Sequence, residues 1–484
     1  MSDVGSRVRS GVKLTFITTI ISGLVQAVLL VVLARLLAPL DYGYYAAALA
    51  IANVTVALVN NVIERSLVIH VGEEAPAAAI AALVLLCSLG VALLTFAGAT
   101  TVAALTRWTM PGEVLGALLV AQVINSLAIV PRVNLRRQLL FRPIVFGELA
   151  SQLIGGALVS IVLAAAGWGA LGLALAQVVG SVVTVVAVTA AAGLRIAPFT
   201  AKQAFTYLAA ALSLARVVAL EIANAQIPPL ILTALAGPIP LGLFNRAYTL
   251  VQLPVQLLTN SMTRVMISAL VTMVDDEARL RNGMRRLVTI ASAIVSPVAF
   301  GIAGSHQAFT AVLLGPKWMA AATLMPWLAI GTWTVMMGYL FSVLSEATRH
   351  FGPKIRLQST SSLVLALGLL LYVPIGLAGA AIGMALGGVT FLLLYIALGA
   401  DILRLPYRTL AGWLTPGLVA GLVCCAGSWA VGEMVTASPY ILLALQIGAC
   451  GTLALAFYAL FHRGLLGEIA GAALPVGLTR RFAR

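Results

Sequence analysis

Apolar segments long enough to cross a lipid bilayer recur along almost the whole chain of 484 residues, and only short polar gaps separate them. A membrane-spanning helix needs about 20 mostly apolar residues, and a helix satisfies its own backbone hydrogen bonds where lipid cannot. Hydrophobic residues make up 61% of the chain and charged residues 9%, which leaves no room for a separate soluble domain. The sequence therefore predicts an all-α polytopic membrane protein with about fourteen transmembrane helices.

The distribution of basic residues predicts the topology. The net charge is +14, but the basic residues lie in short loops between apolar segments and form no folded basic face, so nucleic acid is not an expected partner. Alternate loops hold nearly all of them, whereas the other loops hold only Arg35, Arg107 and Lys317. By the positive-inside rule, both termini and the loop containing Arg132 to Arg142 are expected to be cytoplasmic.

An internal repeat predicts how the helices are grouped. Pro39 and Gly43 correspond to Pro238 and Gly242 at a constant offset, and GWGALGLALA from Gly167 resembles GLAGAAIGMA from Gly376. Repeats of this kind build two bundles around a central site in several transporters. We expect two six-helix lobes and two further helices with a cytoplasmic tail, at residues 1–195, 196–403 and 404–484.

Two of the predicted helices illustrate the expected boundaries. The ninth is predicted over 287–313 and the tenth over 319–345. Pro297 and Pro326 are expected to kink them, as Pro254 is expected to kink the eighth helix. Gly379, Gly383 and Gly387 are spaced four apart, which favours close packing of one helix face against a neighbour.

The stretch Gly237–Met273 is apolar enough to span a bilayer, yet one side of the predicted helix is polar. At about 100° per residue, its amides and hydroxyls fall within one arc and two arginines flank that arc. Such groups are costly in hydrocarbon, so they point either to a substrate cavity or to a polar seam between packed helices. The polar side consists of Asn245, Thr249, Gln252, Gln256, Asn260 and Thr263, with Arg246 and Arg264 at its flank.

Other candidate motifs carry little chemistry. GWGALG fits a dinucleotide-binding string but follows a hydrophobic helix, not a strand. The four histidines are scattered without ligand spacing, and the four cysteines lie in apolar segments, so neither a metal nor another cofactor is predicted. Arg216 and Glu221, in the seventh predicted helix, either neutralise each other or bind substrate.

Several segments together resemble a known family. VVLARLLAPLDYGYYAAALA, LRRQLLFRPIVFGEL, GWGALGLALAQ, GLFNRAYTLVQLPVQLL and LLGPKW resemble the polysaccharide transporter branch of the multidrug, oligosaccharidyl-lipid and polysaccharide flippase superfamily. The resemblance implies fourteen helices in two lobes arranged as a V. One departure lies late in the seventh helix, where members usually carry Asn and Asp. This chain has Asn224 and Gln226 there but no Asp.

The resemblance implies a transporter and not an enzyme. The expected cargo is an oligosaccharide linked to a polyprenyl diphosphate, which would be flipped from the cytoplasmic to the periplasmic leaflet of a bacterial inner membrane. Guanidinium groups suit the diphosphate and amides suit the sugar. The candidate cavity residues are Arg216, Arg246 and Arg264 for the diphosphate, Asn245, Gln252, Gln256 and Asn260 for the sugar, and Asn224.

Two other functions are weighed against this one. A multidrug antiporter would need carboxylates and aromatic residues facing cationic drugs, and only Glu221 is placed for that. A membrane glycan polymerase or ligase would need outer acid and base residues or a sizeable outer loop, whereas every outer loop is short. Membrane lipids are expected partners, and a polymerase or ligase is a possible one.

Overall fold

The described chain is helical throughout. The computed structural model describes residues 18, 21–70, 77–106, 111–192, 218–220, 222, 224–271, 273–274 and 276–473. Within these residues every regular element is a helix, which confirms the all-α prediction. Two compact units divide the chain, unit 1 at Met1–Asn245 and unit 2 at Arg246–Arg484. The predicted boundary at 195/196 lies outside the described residues, and the three-part division stays a prediction.

The helices of unit 1 contain two π-helical segments, at Asn53–Ala57 between α2 and α3 and at Gln152–Val159 between α7 and α8. The α-helices are α1 Ile21–Leu36, α2 Pro39–Ala52, α3 Leu58–His70, α4 Ala77–Thr106, α5 Gly112–Ser126, α6 Ile129–Arg137, α7 Phe141–Ser151, α8 Ser160–Ala165, α9 Gly169–Ala192 and α10 over 224–235.

Helix α11, Pro238–Val271, starts in unit 1 and continues into unit 2. The helices that follow it are α12 Glu277–Gly304, α13 His306–Leu313, α14 Met319–Ala322, α15 Met325–Ala347, α16 Phe351–Tyr372, α17 Leu377–Leu403, α18 Tyr407–Met434, α19 Pro439–Phe461 and α20 Arg463–Ala473.

Eleven helical segments of the described chain are long and apolar enough to cross a membrane, so the protein is a multi-pass membrane protein. Burial separates inner helices from outer ones. In α12, 83% of the spanning window is buried, against 11% in α19, whose Leu455 and Leu460 are exposed. Exposed apolar side chains of this kind are expected on a helix that faces lipid. Helix α11 is not among the eleven spans, because its polar side lowers its mean hydropathy.

The starts of α2 and α11 pack against each other through glycine. A Cβ atom on Gly43 would lie 1.8 Å from the carbonyl oxygen of Pro238, and one on Gly242 would lie 1.9 Å from that of Pro39. The contact is reciprocal, since the glycine of each repeat meets the proline of the other repeat. The residues that define the repeat in the sequence are therefore those that make this contact within unit 1.

Unit 2 is built around α12, α15, α17 and α18. Its core includes the fully buried Met284, Phe341 and Tyr395. Trp333 packs on Phe300 with ring centroids 5.6 Å apart and donates a hydrogen bond to Ser296 Oγ.

Glycine also brings α16 and α17 of unit 2 together. A Cβ on Gly383 would lie 2.9 Å from the backbone of Gly368, and one on Gly387 would lie 2.8 Å from Leu365. The predicted close packing of the face containing Gly383 is confirmed.

Two predicted boundaries are wrong. The ninth helix begins at Glu277, ten residues before the predicted start of 287, because the side chain of Asp276 accepts a hydrogen bond from Arg279 N–H and caps it. It ends at Gly304, and α13 follows as a separate helix.

Pro326 does not kink the tenth helix as expected. It lies in the first turn of α15, where its missing N–H is not needed, so it does not interrupt a helix.

The reciprocal glycine contact yields a prediction. Gly43→Ala and Gly242→Ala should each lower the stability of the protein by about 1–3 kcal/mol or more, because the backbone must move to admit a methyl group. Thermal unfolding of detergent-solubilised protein measures this. Gly90→Ala in α4 is the matched control, since its Cβ would meet no atom within 4 Å. If Gly43→Ala and Gly242→Ala both unfolded at the wild-type temperature, the close contact between α2 and α11 would be contradicted.

Candidate functional site

Helix α11 is amphipathic, as the sequence predicts. Asn245, Thr249 and Gln252 are half-buried and Gln256 is exposed, all on one side of the helix. The opposite side is apolar and buried, at Phe244, Ala247, Leu250, Val251 and Val255. The helix is continuous over 34 residues even though Pro254 lies inside it. The described part of α11 therefore has one polar side, half-buried or exposed, and one buried apolar side.

Two amides of that side have no hydrogen-bond partner among the residues that the structure describes. Within the part of the chain that the structure describes, neither Gln252 nor Gln256 makes a side-chain hydrogen bond. Gln252 is half-buried, and a polar group in that position needs a partner from solvent or ligand. These two amides are the members of the predicted set best suited to face a cargo.

The structure describes the remaining predicted residues unevenly. Arg246 is half-buried and lies one position beyond Asn245 on α11. Asn224 is half-buried on a different helix, α10. Asn260 and Arg264 lie within α11, but their side chains fall outside the described residues, as does the whole of Arg216. The assignment of these residues to a cavity remains a prediction.

Unit 1 contains a polar network that the sequence analysis missed. Ser88 Oγ donates to Asn60 Oδ1 at 2.7 Å, and Asn60 Nδ2 donates to the carbonyl oxygen of Gln122 at 3.1 Å. Gln122 Nε2 in turn donates to Asn53 Oδ1 at 3.2 Å. Asn60 and Ser88 are buried, and leaving such groups unpaired would cost about 1–3 kcal/mol each. This network joins α3, α4 and α5 and is structural.

An ion cluster lies about one helical turn further along the chain from Asn60 and Gln122. Glu64 accepts from two arginines, with Arg132 Nη1 at 3.2 Å and Arg136 Nη1 at 2.7 Å, and Arg132 Nη2 donates to Asn125 Oδ1 at 3.3 Å. The side chains of Arg132 and Glu64 are only 13% and 15% exposed. Two guanidiniums share one carboxylate, so the cluster has one excess positive charge. We call Glu64, Asn125, Arg132 and Arg136 the Glu64 cluster.

One nitrogen of the Glu64 cluster has no acceptor. The Nε of Arg132 is buried and makes no hydrogen bond to the described residues. With the excess charge, this gives the cluster a capacity for one more anionic or carbonyl oxygen. In the sequence analysis Arg132 serves only to predict topology. In the structure its guanidinium pairs with Glu64.

A spacing signal marks this network in the sequence. Asn53, Asn60 and Glu64 are separated by seven and four residues, which puts them on one side of a helix. The partner helix has the same kind of pattern at Gln122, Asn125, Arg132 and Arg136. Two matched polar stripes in the apolar spans Pro39–Arg65 and Gly112–Arg137 predict a seam between them. The π-helical segment starting at Asn53 was not predictable from this pattern.

The sequence is similar to those of known proteins. The model of the family described as polysaccharide biosynthesis protein matches residues 32–323. The teichuronic acid biosynthesis protein TuaB of Bacillus subtilis (strain 168) is 28% identical over 122 residues. That match covers 25% of this chain and spans only 25% of the length of TuaB.

Solved structures show the fold. The lipid II flippase MurJ, in an inward closed conformation, matches with a TM-score of 0.78 at 13% identity, over 93% of this chain and 99% of MurJ. An inward-facing multidrug resistance transporter of the MATE family matches with a TM-score of 0.54 at 16% identity, over 79% of this chain and 92% of the transporter. The all-helical transporter fold expected from the resemblance is confirmed, whereas the count of fourteen helices and the arrangement of two lobes as a V stay predictions.

The Glu64 cluster yields a second prediction. Glu64→Gln should destabilise the protein by about 3 kcal/mol, the lower end of the range for breaking a buried ion pair, because two arginines then lose their counter-charge. Thermal unfolding measures it, and Glu64→Gln combined with Arg132→Gln should recover part of the loss.

The control for that prediction is the exposed pair formed by Glu277 and Arg281 at 2.8 Å on α12. Glu277→Gln should change stability by less than about 1 kcal/mol. Equal effects of Glu64→Gln and Glu277→Gln would show that the Glu64 cluster is not stabilising.

Proposed function

This chain belongs to the polysaccharide biosynthesis protein family, and on that premise we propose that it is a transporter of a lipid-linked oligosaccharide. The cargo is a sugar unit on a polyprenyl diphosphate, moved from the cytoplasmic to the periplasmic leaflet of a bacterial inner membrane. MurJ, which has this fold, is a lipid II flippase, and TuaB acts in teichuronic acid biosynthesis. MurJ supports a lipid cargo, and TuaB supports the use of that cargo in building a glycan.

The observation that carries the proposal is the polar side of α11. Half-buried amides along a membrane-length helix suit the many hydroxyls of a sugar, which need donors and acceptors at once. Gln252 and Gln256 have the free hydrogen-bonding capacity for this, and Asn245 and Asn260 extend the same side. Asn224, on α10, is a further candidate for contact with the sugar.

Arginines supply the charge that a diphosphate requires. Arg246 and Arg264 are 18 residues apart on a continuous α11, which corresponds to about 27 Å at 1.5 Å per residue. They cannot share one phosphate group. We therefore assign them to successive steps, with Arg264 engaging the diphosphate on the cytoplasmic side and Arg246 receiving it later. Arg216 is the third arginine of this set.

The composition of α11 favours this cargo over a cationic drug. The helix sequence from Pro238 to Val271 contains no Asp or Glu, so it offers no counter-charge to a cation. Its two arginines would repel one. The MATE-like fold alone therefore does not favour drug export. Membrane lipids are partners in this scheme, and a glycan polymerase or ligase that takes the flipped unit is a further proposed partner.

Arg264 gives the central test. A charge-assisted hydrogen bond in a partly desolvated site is worth about 1.5–3 kcal/mol, so Arg264→Ala should reduce transport about ten-fold or more. Arg264→Lys should keep only part of the transport activity, because a point charge lacks the two-pronged geometry of a guanidinium. The measurement is glycan export in a strain lacking the native gene, with membrane protein levels quantified in parallel.

Arg408→Ala is the control, since Arg408 is an exposed arginine in the first turn of α18. It should export normally. If Arg264→Ala exported glycan normally, with the protein present and inserted, α11 would not contact the cargo and the proposal would be contradicted.

Topology gives a separate test. We place both termini and the turn at Gln138 on the cytoplasmic side, and Ala437, between α18 and α19, on the periplasmic side; both residues are exposed. In a variant without the native cysteines, Gln138→Cys should resist a membrane-impermeant thiol reagent in intact cells. Ala437→Cys should react under the same conditions. The opposite pattern would invert the assignment.

A further inference from the structure

We propose that unit 2 contains a binding site for the phosphate-bearing headgroup of an anionic phospholipid, separate from α11 and not dependent on the identity of the cargo. The site is a cavity of about 610 Å³ between α12, α18 and α20. Ligand pockets typically enclose about 300–1,000 Å³, so the cavity has room for a headgroup with its glycerol. Its polar and charged lining includes Asn282, Arg285, Arg286, Thr289, His462 and Glu468.

The cavity lies at one end of the membrane-spanning helices. Its residues come from the first half of α12, the first turns of α18 and the residue that ends α19, and helices that begin and end together share one membrane face. Helix α20 continues directly from His462. Its Leu465 and Leu466 pack against a buried cluster of Ala293, Ala420 and Tyr458. Helix α20 therefore forms a wall of the cavity.

The charges of the cavity favour an anion. Arg286 Nε lies 3.3 Å from Glu468 Oε2, so these two neutralise each other. Arg285 also lines the cavity, and no carboxylate among the described residues pairs with it. One guanidinium charge is thus left for an occupant, with the neutral donors Asn282 and Thr289 on the same helix. Guanidinium groups bind phosphate oxygens in two-pronged geometry.

The surroundings of the cavity favour a lipid over a free phosphate. Beyond it, α18 and α19 expose apolar side chains, among them Leu422, Leu460 and Phe461. Trp413 lines the cavity at the start of α18, and tryptophan is enriched where headgroups meet acyl chains. A phospholipid can place its phosphate on Arg285 and leave its chains on this apolar surface. Basic pockets between helices bind anionic lipids in this way.

One glycine allows the site to be blocked without altering its charges, and a second provides a matched control. A Cβ on Gly412 would meet no atom within 4 Å, and this residue lines the cavity. Gly412→Leu should therefore place a side chain in the cavity while α18 remains helical. Gly448 on α19 also faces open space but does not line the cavity, so Gly448→Leu is the matched control.

The experiment uses the purified full chain in detergent with phosphatidylglycerol, phosphatidylcholine or inorganic phosphate as ligand, measured by native mass spectrometry and by thermal stabilisation. We expect phosphatidylglycerol to bind and stabilise the wild type more than phosphatidylcholine does. Arg285→Gln should weaken its binding about ten-fold, and Gly412→Leu should abolish it. Gly448→Leu and Arg408→Gln should bind as the wild type does.

The Glu468→Gln variant gives a result of opposite sign. Removing this carboxylate frees Arg286 and removes a negative charge from the cavity, so phosphatidylglycerol should bind more tightly. Its ion pair is exposed, with the Arg286 side chain 64% exposed, so the fold should be unaffected. Wild-type affinity in Arg285→Gln and Gly412→Leu would overturn the site. Equal stabilisation by inorganic phosphate and phosphatidylglycerol would overturn the assignment to lipid.

Discussion

Hydrocarbon offers no hydrogen bonds, and this constraint explains most of what the chain does with its few polar residues. Every buried donor or acceptor must find a partner inside the protein, in a ligand or in water. The backbone meets the requirement by forming helices throughout the described residues. Side chains meet it in two different ways, and the difference separates groups that pair within the fold from groups that have no partner among the described residues.

Asn60 and Gln252 illustrate the two ways. Both are amides in membrane-length helices, and their types alone do not distinguish them. The Asn60 amide both donates and accepts within unit 1, so its hydrogen-bonding capacity is used by the fold. Gln252 has no such partner among the described residues. A polar seam of the kind weighed for α11 from its sequence is present in unit 1, between α3, α4 and α5.

Much of the fold could be predicted because lipid restricts the choices. Apolar length and the positions of Gly43, Gly242 and Gly383 indicated the helices and the close contacts, since a helix period and the lack of a side chain are local properties. The partner of a side chain is not a local property of the sequence. Neither polar stripe of unit 1 indicates that Glu64 contacts Arg132, 68 positions away.

Local signals also misled where two of them competed. The basic residues before 287 were read as a loop because they are charged, but Asp276 caps a helix that includes them. Arg281 then donates to the carbonyl oxygen of Leu403 and pairs with Glu277. Charge near a membrane surface therefore predicts which side a segment occupies better than it predicts whether the segment is helical.

The placement of carboxylates shows how the chain controls its excess positive charge. Glu64 is shared by two arginines, and Glu468 pairs with Arg286 next to Arg285, so each acid offsets one positive charge and leaves one. Helix α11 has arginines and no acid. In the proposed function, an anion moving along such a helix would meet positive charge that no acid on that helix offsets, whereas elsewhere acids limit how tightly an anion is held. A transporter needs this contrast, because a cargo bound too tightly at any one position would not leave it.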